Sequence, residues 1–495
     1  MTFARTSTVT FRGAQAQMVD VQVQVSSGLP NFAIVGLANK SINESRERVR
    51  AALSTIGVAL PPKRLLVNLA PADLTKDGPH FDLPIAAAIL AALGVLPADA
   101  LYECCIVGEL SLDGRVVPVP GILPAALAAA EAGLSVVCPE SQAGEAAWAG
   151  ANGVVPVSSL AALVARLRGI EEVPRPARPE VAPPSALPDF ADVAGHHAAR
   201  RAAEIAAVGR HHMLLSGPPG SGKSMIAERL PGLLPPLSPR EALDVAVIRS
   251  LSSVVMDGRI SLQRPFRAPH HSASLAALIG GGARVRPGEI TLAHKGVLFL
   301  DELPEFARNA IEGLRQPLET GEVSISRASE HVTFPADFQL VAAMNPCRCG
   351  YLGTPGRECG RSPGCGAEYQ QKLSGPLLDR IDMFLEVTAV PTRDIVRGER
   401  GESSAAIAAR VRAARAQGEG RGDVPNAALS METLRDMTTE AAITLLERAG
   451  DRLGLSSRAL VKVLRVARSI ADLAGREQVD RVDVSEALAY RARMV

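Results

Sequence analysis

Eight consecutive residues, Gly217-Pro218-Pro219-Gly220-Ser221-Gly222-Lys223-Ser224, fit G-x-x-x-x-G-K-[ST] at every fixed position, the pattern of a loop that cradles nucleotide phosphates. The backbone N–H groups of Gly220, Gly222 and Lys223 are expected to face the phosphates. Lys223 is expected to reach the β- and γ-phosphates, and the Ser224 hydroxyl to sit on Mg²⁺. ATP and Mg²⁺ are therefore the expected ligands. The second half of such a site follows about eighty residues on, where Val297-Leu298-Phe299-Leu300 ends in Asp301-Glu302. Asp301 is placed to hold Mg²⁺ through water and Glu302 to polarise the attacking water. A third apolar run, Leu340 to Met344, delivers Asn345, a side chain suited to orienting that water. The bland alternatives are a chance Gly/Pro turn and a carboxylate pair that merely opens a helix.

The elements around these residues suit the chemistry. Met213-Leu214-Leu215 reads as a buried strand and Met225 to Leu230 as a helix, the strand, loop, helix context that the motif requires. Val297 to Leu300, apolar throughout, reads as a parallel strand covered on both faces. Glu322 to Arg327 and Val332 to Phe334 alternate across a polar tip as a β-hairpin does. An extra segment, Arg264 to Gly282, carries His270-His271 and Gly280-Gly281-Gly282. In the last hundred residues Leu460, Val463, Leu464, Ala467, Ile470 and Ala471 recur at helical spacing, with Lys462, Arg465 and Arg468 on other faces. Asp483 and Glu486 read as a capping box for the final helix. Residues 397–421 read as a solvated helix and loop.

The first 172 residues form a separate mixed α/β unit, with strands at 8–11 and 20–25 and helices at 45–56 and 85–93. A proline-rich stretch, 173–189, follows as an extended spacer. A net charge of +1 over 495 residues excludes a global positive field, so nucleic acid must be met by local patches or an assembled pore. The N-terminal stretch lacks a signal-peptide pattern, and no apolar run is long enough to span a membrane, which implies a cytoplasmic protein without a membrane partner. Of seven cysteines, Cys347, Cys349, Cys359 and Cys365 fall within 19 residues among glycines. Four thiolates in a tight loop suit a closed structural Zn²⁺ site, although the Cys-x-Cys spacing is not that of the usual finger, and a reduced, metal-free loop is the alternative. Cys104, Cys105 and Cys138 read as buried small hydrophobes.

The order of phosphate loop, Asp-Glu strand and Asn strand resembles an AAA+ ATPase. Arg264-Pro265-Phe266-Arg267-Ala268-Pro269-His270-His271-Ser272-Ala273-Ser274, Asn345-Pro346-Cys347 and Leu373-Ser374-Gly375-Pro376-Leu377-Leu378-Asp379-Arg380-Ile381-Asp382 resemble the magnesium-chelatase-like ComM/YifB family over nearly the whole chain. The resemblance implies that Arg380 is an arginine finger acting on a neighbouring subunit's nucleotide and that Arg458 is a second sensor on a helical lid. An ordinary surface ion pair is the alternative for each. It also implies a homo-oligomeric ring, expected as a hexamer, with Arg264, Arg267, Arg284, Arg286, Arg327 and His331 near its pore as contacts for single-stranded or branched DNA. Thr75 to Pro79 and Gly108 to Gly121 resemble the Lon protease proteolytic domain. His80 and Leu123, however, stand where that family's nucleophilic Ser and its Lys belong, so an inactive binding or assembly module is expected.

The expected fold class is thus α/β: an AAA+ P-loop ATPase core with a C-terminal helical lid, preceded by a Lon-protease-like α+β domain. Its parts are 1–172, the linker 173–189, the core 190–395 with a cysteine-rich loop at 345–366, and the lid 396–495. The expected function is an ATP-driven DNA motor, a helicase or branch-migration factor in natural transformation or recombination. The alternative is a chelatase-type ATPase subunit that drives metal insertion into a porphyrin.

Overall fold

Gln15–Ser26 alternates Val19, Val21, Val23 and Val25 inward with polar residues outward, the period that builds a half-buried strand. In the computed structural model it pairs antiparallel with both Thr2–Arg12 and Arg64–Ala70. These form the middle of a seven-stranded sheet in the order Asn31–Val35, Arg64–Ala70, Gln15–Ser26, Thr2–Arg12, Cys104–Ile106, Ser135–Pro139, Val154–Val157. Helix Asp82–Ala92 is buried on nearly every side against it. The structure describes residues 2–36, 40–150, 153–171, 176–252, 257–282, 285–327, 330–352, 359, 364–390, 400–422 and 424–491. Residues 173–175 of the expected linker, Arg284, the side chain of Arg327, residues 353–358 and 360–363 of the cysteine-rich loop, and 397–399 lie outside them. No helix among the described residues is long and apolar enough to cross a membrane.

The second sheet is parallel throughout, in the order Phe266–Arg267, Val297–Leu300, Gln339–Met344, Met213–Ser216, Met383–Glu386. Alternate residues feed two cores. Met213, Leu215, Val297, Phe299, Val341 and Ala343 pack with helix His197–Gly209 and the C-terminal helices. Leu214, Leu298, Leu300, Leu340, Ala342 and Met344 pack on the other face with Phe306, Ile311, Leu314 and Leu377. Burial on both faces is why these strands read as unbroken apolar runs.

Helix Ser404–Gly418 corrects one expectation. It is docked rather than solvated: Ile407, Val411 and Ala414 are buried, and Arg415 donates to Ala207 O from a site so desolvated that its guanidinium falls to about 9. The cations of helix Ser457–Leu473 are held by partners as well. Lys462 donates to Asp382 Oδ1 at 2.7 Å, Arg465 to Leu429 O at 2.9 Å, and Arg468, 1% exposed, to Asp472 and Glu477 O. The lid is therefore fastened to the back of the sheet by ion pairs as well as by apolar contact. Burial would raise Asp382, but Lys462, His212 and His211 outweigh it and hold it down to about 2. The final helix, Arg481–Ala489, does open on a capping box, but its members are Asp480 and Asp483.

The two units share an interface. Gly121 N donates to Ser250 O and Leu123 N to Ser250 Oγ, on helix Pro239–Leu251, while Trp148 Nε1 donates to Gly258 O at 2.7 Å. Described linker residues lie along that seam instead of spanning open space: Arg178 stacks over the Trp148 ring and Ala182 N donates to Ile260 O.

Burial pulls His211, His212 and His294 each down to about 4. His212 Nδ1 accepts from Leu340 N and His294 Nδ1 from Asp337 N, bonds that require an unprotonated nitrogen there. In the unfolded chain these rings titrate near 6.5. Between pH 6.5 and 4 the unfolded state binds more protons than the folded one. Their stabilisation is thus complete above pH 6.5 and is lost as pH falls through that window. Thermal melts are expected to show a falling midpoint from pH 7 to pH 4.5, with a slope approaching ~1.4 kcal/mol per pH unit for each histidine. A midpoint independent of pH over this range contradicts neutral burial.

Candidate nucleotide site

Strand Gln339–Met344 lies between Met213–Ser216 and Val297–Leu300, so the loops that leave the three strands meet at one end of the sheet. Ligands of parallel α/β sheets bind at such a switch in strand order. Gly220 and Gly222 both have positive φ, 75° and 84°, which only glycine adopts cheaply and which folds the loop back on its own backbone. Helix Lys223–Arg229 follows directly.

Lys223 Nζ donates to Gly217 O at 2.7 Å, to Pro218 O at 2.9 Å and to Asn345 Oδ1 at 3.2 Å. The side chains from loop and third strand are thus in direct contact. Burial lowers the Lys223 ammonium, opposed by Asp301 and Glu302. Ser224 Oγ donates to Asp301 Oδ2 at 2.8 Å, which brings together two hard oxygen donors of the kind that Mg²⁺ takes. The Ser221 hydroxyl is buried in the loop with no hydrogen-bond partner. The sequence-predicted residues of the loop, Gly217, Pro218, Pro219, Gly220, Ser221, Gly222, Lys223 and Ser224, with Asp301, Glu302 and Asn345, therefore form one constellation that fits a Mg²⁺-bound nucleotide.

Glu302 has a left-handed backbone, φ 53°, and its carboxylate meets His271 Nδ1 at 3.1 Å. Sequence reasoning missed this contact, although the His270-His271 pair stood out; the two rings lie 4.1 Å apart. The extra segment thus touches the residue expected to act on water.

Arg380 lies elsewhere. In the register Met213↔Met383 and Ser216↔Glu386, Arg380 precedes the edge strand while the phosphate loop follows its neighbour. The four-residue strand alone separates them by about 13 Å. Arg380 donates to Pro376 O at 2.6 Å and to Glu319 at 2.5 Å, and its Nε has no partner. Arg458, exposed at the start of helix Ser457–Leu473, lies close enough to help Arg380 depress the Glu319 carboxyl. Lys462, one turn after Arg458, bonds Asp382, two residues after Arg380. Docked on the back of the sheet, the lid sets Arg458 near Arg380, at the end remote from the phosphate loop of the same chain.

The hairpin exists as Glu322–Arg327 paired with Glu330–Pro335, and His331 is exposed with Nδ1 at 2.8 Å from Ser326 Oγ. Arg286 is exposed on a short ribbon with Gly280–Gly281. Arg264 and Arg267 are not free for phosphates. Arg264, its side chain 9% exposed, spends its donors on Pro235 O, Lys295 O and Glu241, and Arg267 makes a bidentate pair with Glu289. Both brace the fold because each stands beside an acidic partner that the sequence places out of local reach.

The sulfurs of Cys347, Cys349, Cys359 and Cys365 all lie within 4.8 Å of one another. Burial works to raise the Cys347 thiol, but the Cys349 sulfur and the N–H groups of Leu352, Gly350 and Tyr351 outweigh it and bring it down to about 7. Cys104, Cys105 and Cys138 differ: burial raises them to about 11, 12 and 12, which keeps them protonated. His80 is buried with Nε2 at 2.9 Å from Val9 O, and Leu123 is fully buried.

Three family models match the chain. Magnesium chelatase, subunit ChlI, matches residues 189–395; subunit ChlI of Mg-chelatase matches 21–142; and magnesium chelatase, subunit ChlI C-terminal, matches 401–491. Competence protein ComM of Haemophilus influenzae is 44% identical over 491 residues, covering 97% of this chain and 96% of its own. The protein YifB of Salmonella typhimurium is 42% identical, covering 97% and 95%. The 67 kDa subunit of magnesium chelatase from Chlorobaculum parvum is 28% identical over 159 residues, 32% of this chain and 23% of its own. Similarity that runs end to end with the first two and stays partial with the third places the chain in the ComM/YifB family of magnesium-chelatase-like proteins.

Proposed function

We propose that the protein is a ring-forming ATPase that moves along or remodels DNA, single-stranded or branched, during natural transformation or recombination. The observation that carries the ATPase reading is the split of the charged residues across the sheet. Lys223, Ser224, Asp301, Glu302 and Asn345 gather at one end, and Arg380 with Arg458 at the other. A residue on the far end is of use to a nucleotide only if a second subunit docks its phosphate loop there, as a closed ring provides; a hexamer is the form we propose. The matching family models bear the name of magnesium chelatase subunit ChlI, and the name of the Haemophilus relative adds competence.

In this reading Lys223 exchanges its loop carbonyls for phosphate oxygens, and Asp301 and Ser224 hold Mg²⁺. Bound there, Mg²⁺ supplies neutralising charge on the phosphates. Glu302 accepts a proton from the attacking water, and Asn345 orients that water. Arg380 leaves Glu319 and, with Arg458 beside it, neutralises charge on the neighbour's γ-phosphoryl group. His331 and Arg286, with Arg327 proposed alongside them from the sequence, contact the strand in the pore, where contacts to phosphates carry no sequence information and suit movement along any strand. The N-terminal unit is a Lon-like domain without proteolysis. A chelatase role is the second reading, favoured by the family models and disfavoured by a relative that shares only 159 aligned residues. Cytoplasmic residence follows from the proposed partner.

Lys223→Ala is expected to abolish ATP binding, whereas Glu302→Gln keeps binding and loses about 100-fold in turnover. Equal ATP affinity in wild type and Lys223→Ala overturns the site. Arg380→Ala is expected to bind ATP and hydrolyse it poorly, and mixing it with Glu302→Gln is expected to restore turnover, because interfaces form in which base and arginine are both intact. Absence of rescue contradicts action between subunits.

His271→Ala frees Glu302 from an exposed pair worth at most about 1 kcal/mol, so basal hydrolysis is expected to rise about threefold. Unchanged or lower turnover shows that His271 does not restrain the carboxylate.

For DNA, ATPase rates at low salt with and without single-stranded or forked DNA test the motor. Stimulation that Arg327→Ala removes, with basal rate retained, is expected. A wild-type rate indifferent to DNA rejects the motor and leaves the chelatase reading.

A further inference from the structure

We propose that Cys347, Cys349, Cys359 and Cys365 bind one Zn²⁺ and that this ion clamps the phosphate loop and Asn345 in working position, so that metal occupancy sets the rate of ATP hydrolysis. The clamping part rests on the ATPase reading above; the metal site does not. Tetrahedral thiolates at a Zn–S distance of about 2.3 Å stand roughly 3.8 Å apart. Four sulfurs that all fall within 4.8 Å, with Cys347 and Cys349 at 3.2 Å, need only small adjustments to reach that geometry. Two of the four, Cys347 and Cys359, are buried, which suits a closed structural site. The donor set is all sulfur, soft enough to exclude the Mg²⁺ that the neighbouring oxygen donors take.

Three contacts tie this cluster to the nucleotide site. Cys347 is two residues past Asn345, whose Oδ1 accepts from Lys223 Nζ. Gly350, between the first cysteine pair and the rest of the loop, has φ 83°, and a Cβ there would sit 2.5 Å from Pro219 Cδ, so the cysteine loop lies directly on the phosphate loop. Cys365 belongs to helix Gly364–Gln370, where a Cβ at Gly366 would sit 2.5 Å from Leu352 and where Tyr369 is buried and hydrogen-bonded to Glu305, three residues past Glu302. One ion held by both halves of the loop thus joins the ends of two central strands and the phosphate loop.

The test starts from full-length protein purified without chelators. Elemental analysis is expected to find about one Zn²⁺ per chain, and Co²⁺ substitution to give the thiolate charge-transfer and visible bands of a tetrahedral sulfur site. Both are expected to vanish in the double variant Cys359→Ser, Cys365→Ser. Removing the ion with a thiol reagent and chelator is expected to lower ATP turnover about tenfold, the scale on which metal-site support acts, and adding Zn²⁺ back to restore it. Gly350→Ala separates the two parts of the proposal. It should keep the Co²⁺ spectrum while lowering turnover and weakening binding of a fluorescent ATP analogue, since the methyl group pushes against Pro219. Metal content near zero, or a Co²⁺ spectrum without thiolate bands, overturns the site. A loaded protein whose turnover and analogue binding are unmoved by metal removal and by Gly350→Ala overturns the clamp. If no ATP hydrolysis is found at all, metal content and analogue binding still decide both parts, which keeps this failure distinct from failure of the ATPase reading.

Discussion

Strand Gln339–Met344 is buried along its whole length between Met213–Ser216 and Val297–Leu300, and the nucleotide site depends on that position. Its alternate side chains fill two different cores, so a shift in register by one residue would exchange both faces at once. Parallel pairing fixes Asn345 relative to the Ser216 and Leu300 ends, and only then can Lys223 reach Asn345 and Ser224 reach Asp301. Packing on both faces thus sets the geometry of polar groups that are themselves too few to impose it.

The same sheet accounts for the two-ended charge arrangement. Asp382 enters the edge strand from the end opposite the phosphate loop and is desolvated there, which is tolerable because Lys462 and the His212 N–H satisfy it. That buried pair anchors helix Ser457–Leu473 beside the strand and sets Arg458 near Arg380. Glu319 accepts from Arg380, and Arg380 with the lesser help of Arg458 keeps its carboxyl charged. An exposed carboxylate is a weak competitor for guanidinium against a nucleotide phosphate, so this arrangement can yield on assembly.

Legibility in the sequence followed distance along the chain. The phosphate loop, the Asp-Glu pair and Asn345 were readable because each is a short motif that ends an apolar run, and the hairpin was readable from its alternation. Arg264 was not, because the partners that bury it, Glu241 and the carbonyls of Pro235 and Lys295, are 23 to 31 residues away. The partners of Lys462, Arg465 and Arg468 were hidden for the same reason: helical periodicity separates apolar from polar faces but does not show that a polar face is also covered. The place of Arg458 follows from which side of the sheet receives the lid, a tertiary choice with no local signature. His271 lay in between, since the doublet was visible but its partner was not.

Among the described residues, the N-terminal unit meets the nucleotide-binding unit through contacts of two different kinds. Its turn at Pro120–Leu123 is fixed to Ser250 on helix Pro239–Leu251, with Leu123 in an apolar cluster with Trp148, Leu237, Val245 and Ile260. A hydrophobic side chain at position 123 is therefore part of the joint, and an amine there would lie buried without water. The second point is slighter: Arg12 donates to His331 O at 3.3 Å, and Gly13 lies against the Thr333 backbone on the pore-candidate hairpin. The first contact excludes water, whereas the second is exposed. The buried joint at Leu123 is therefore the one that fixes the N-terminal unit on helix Pro239–Leu251, and the hairpin contact adds little to it.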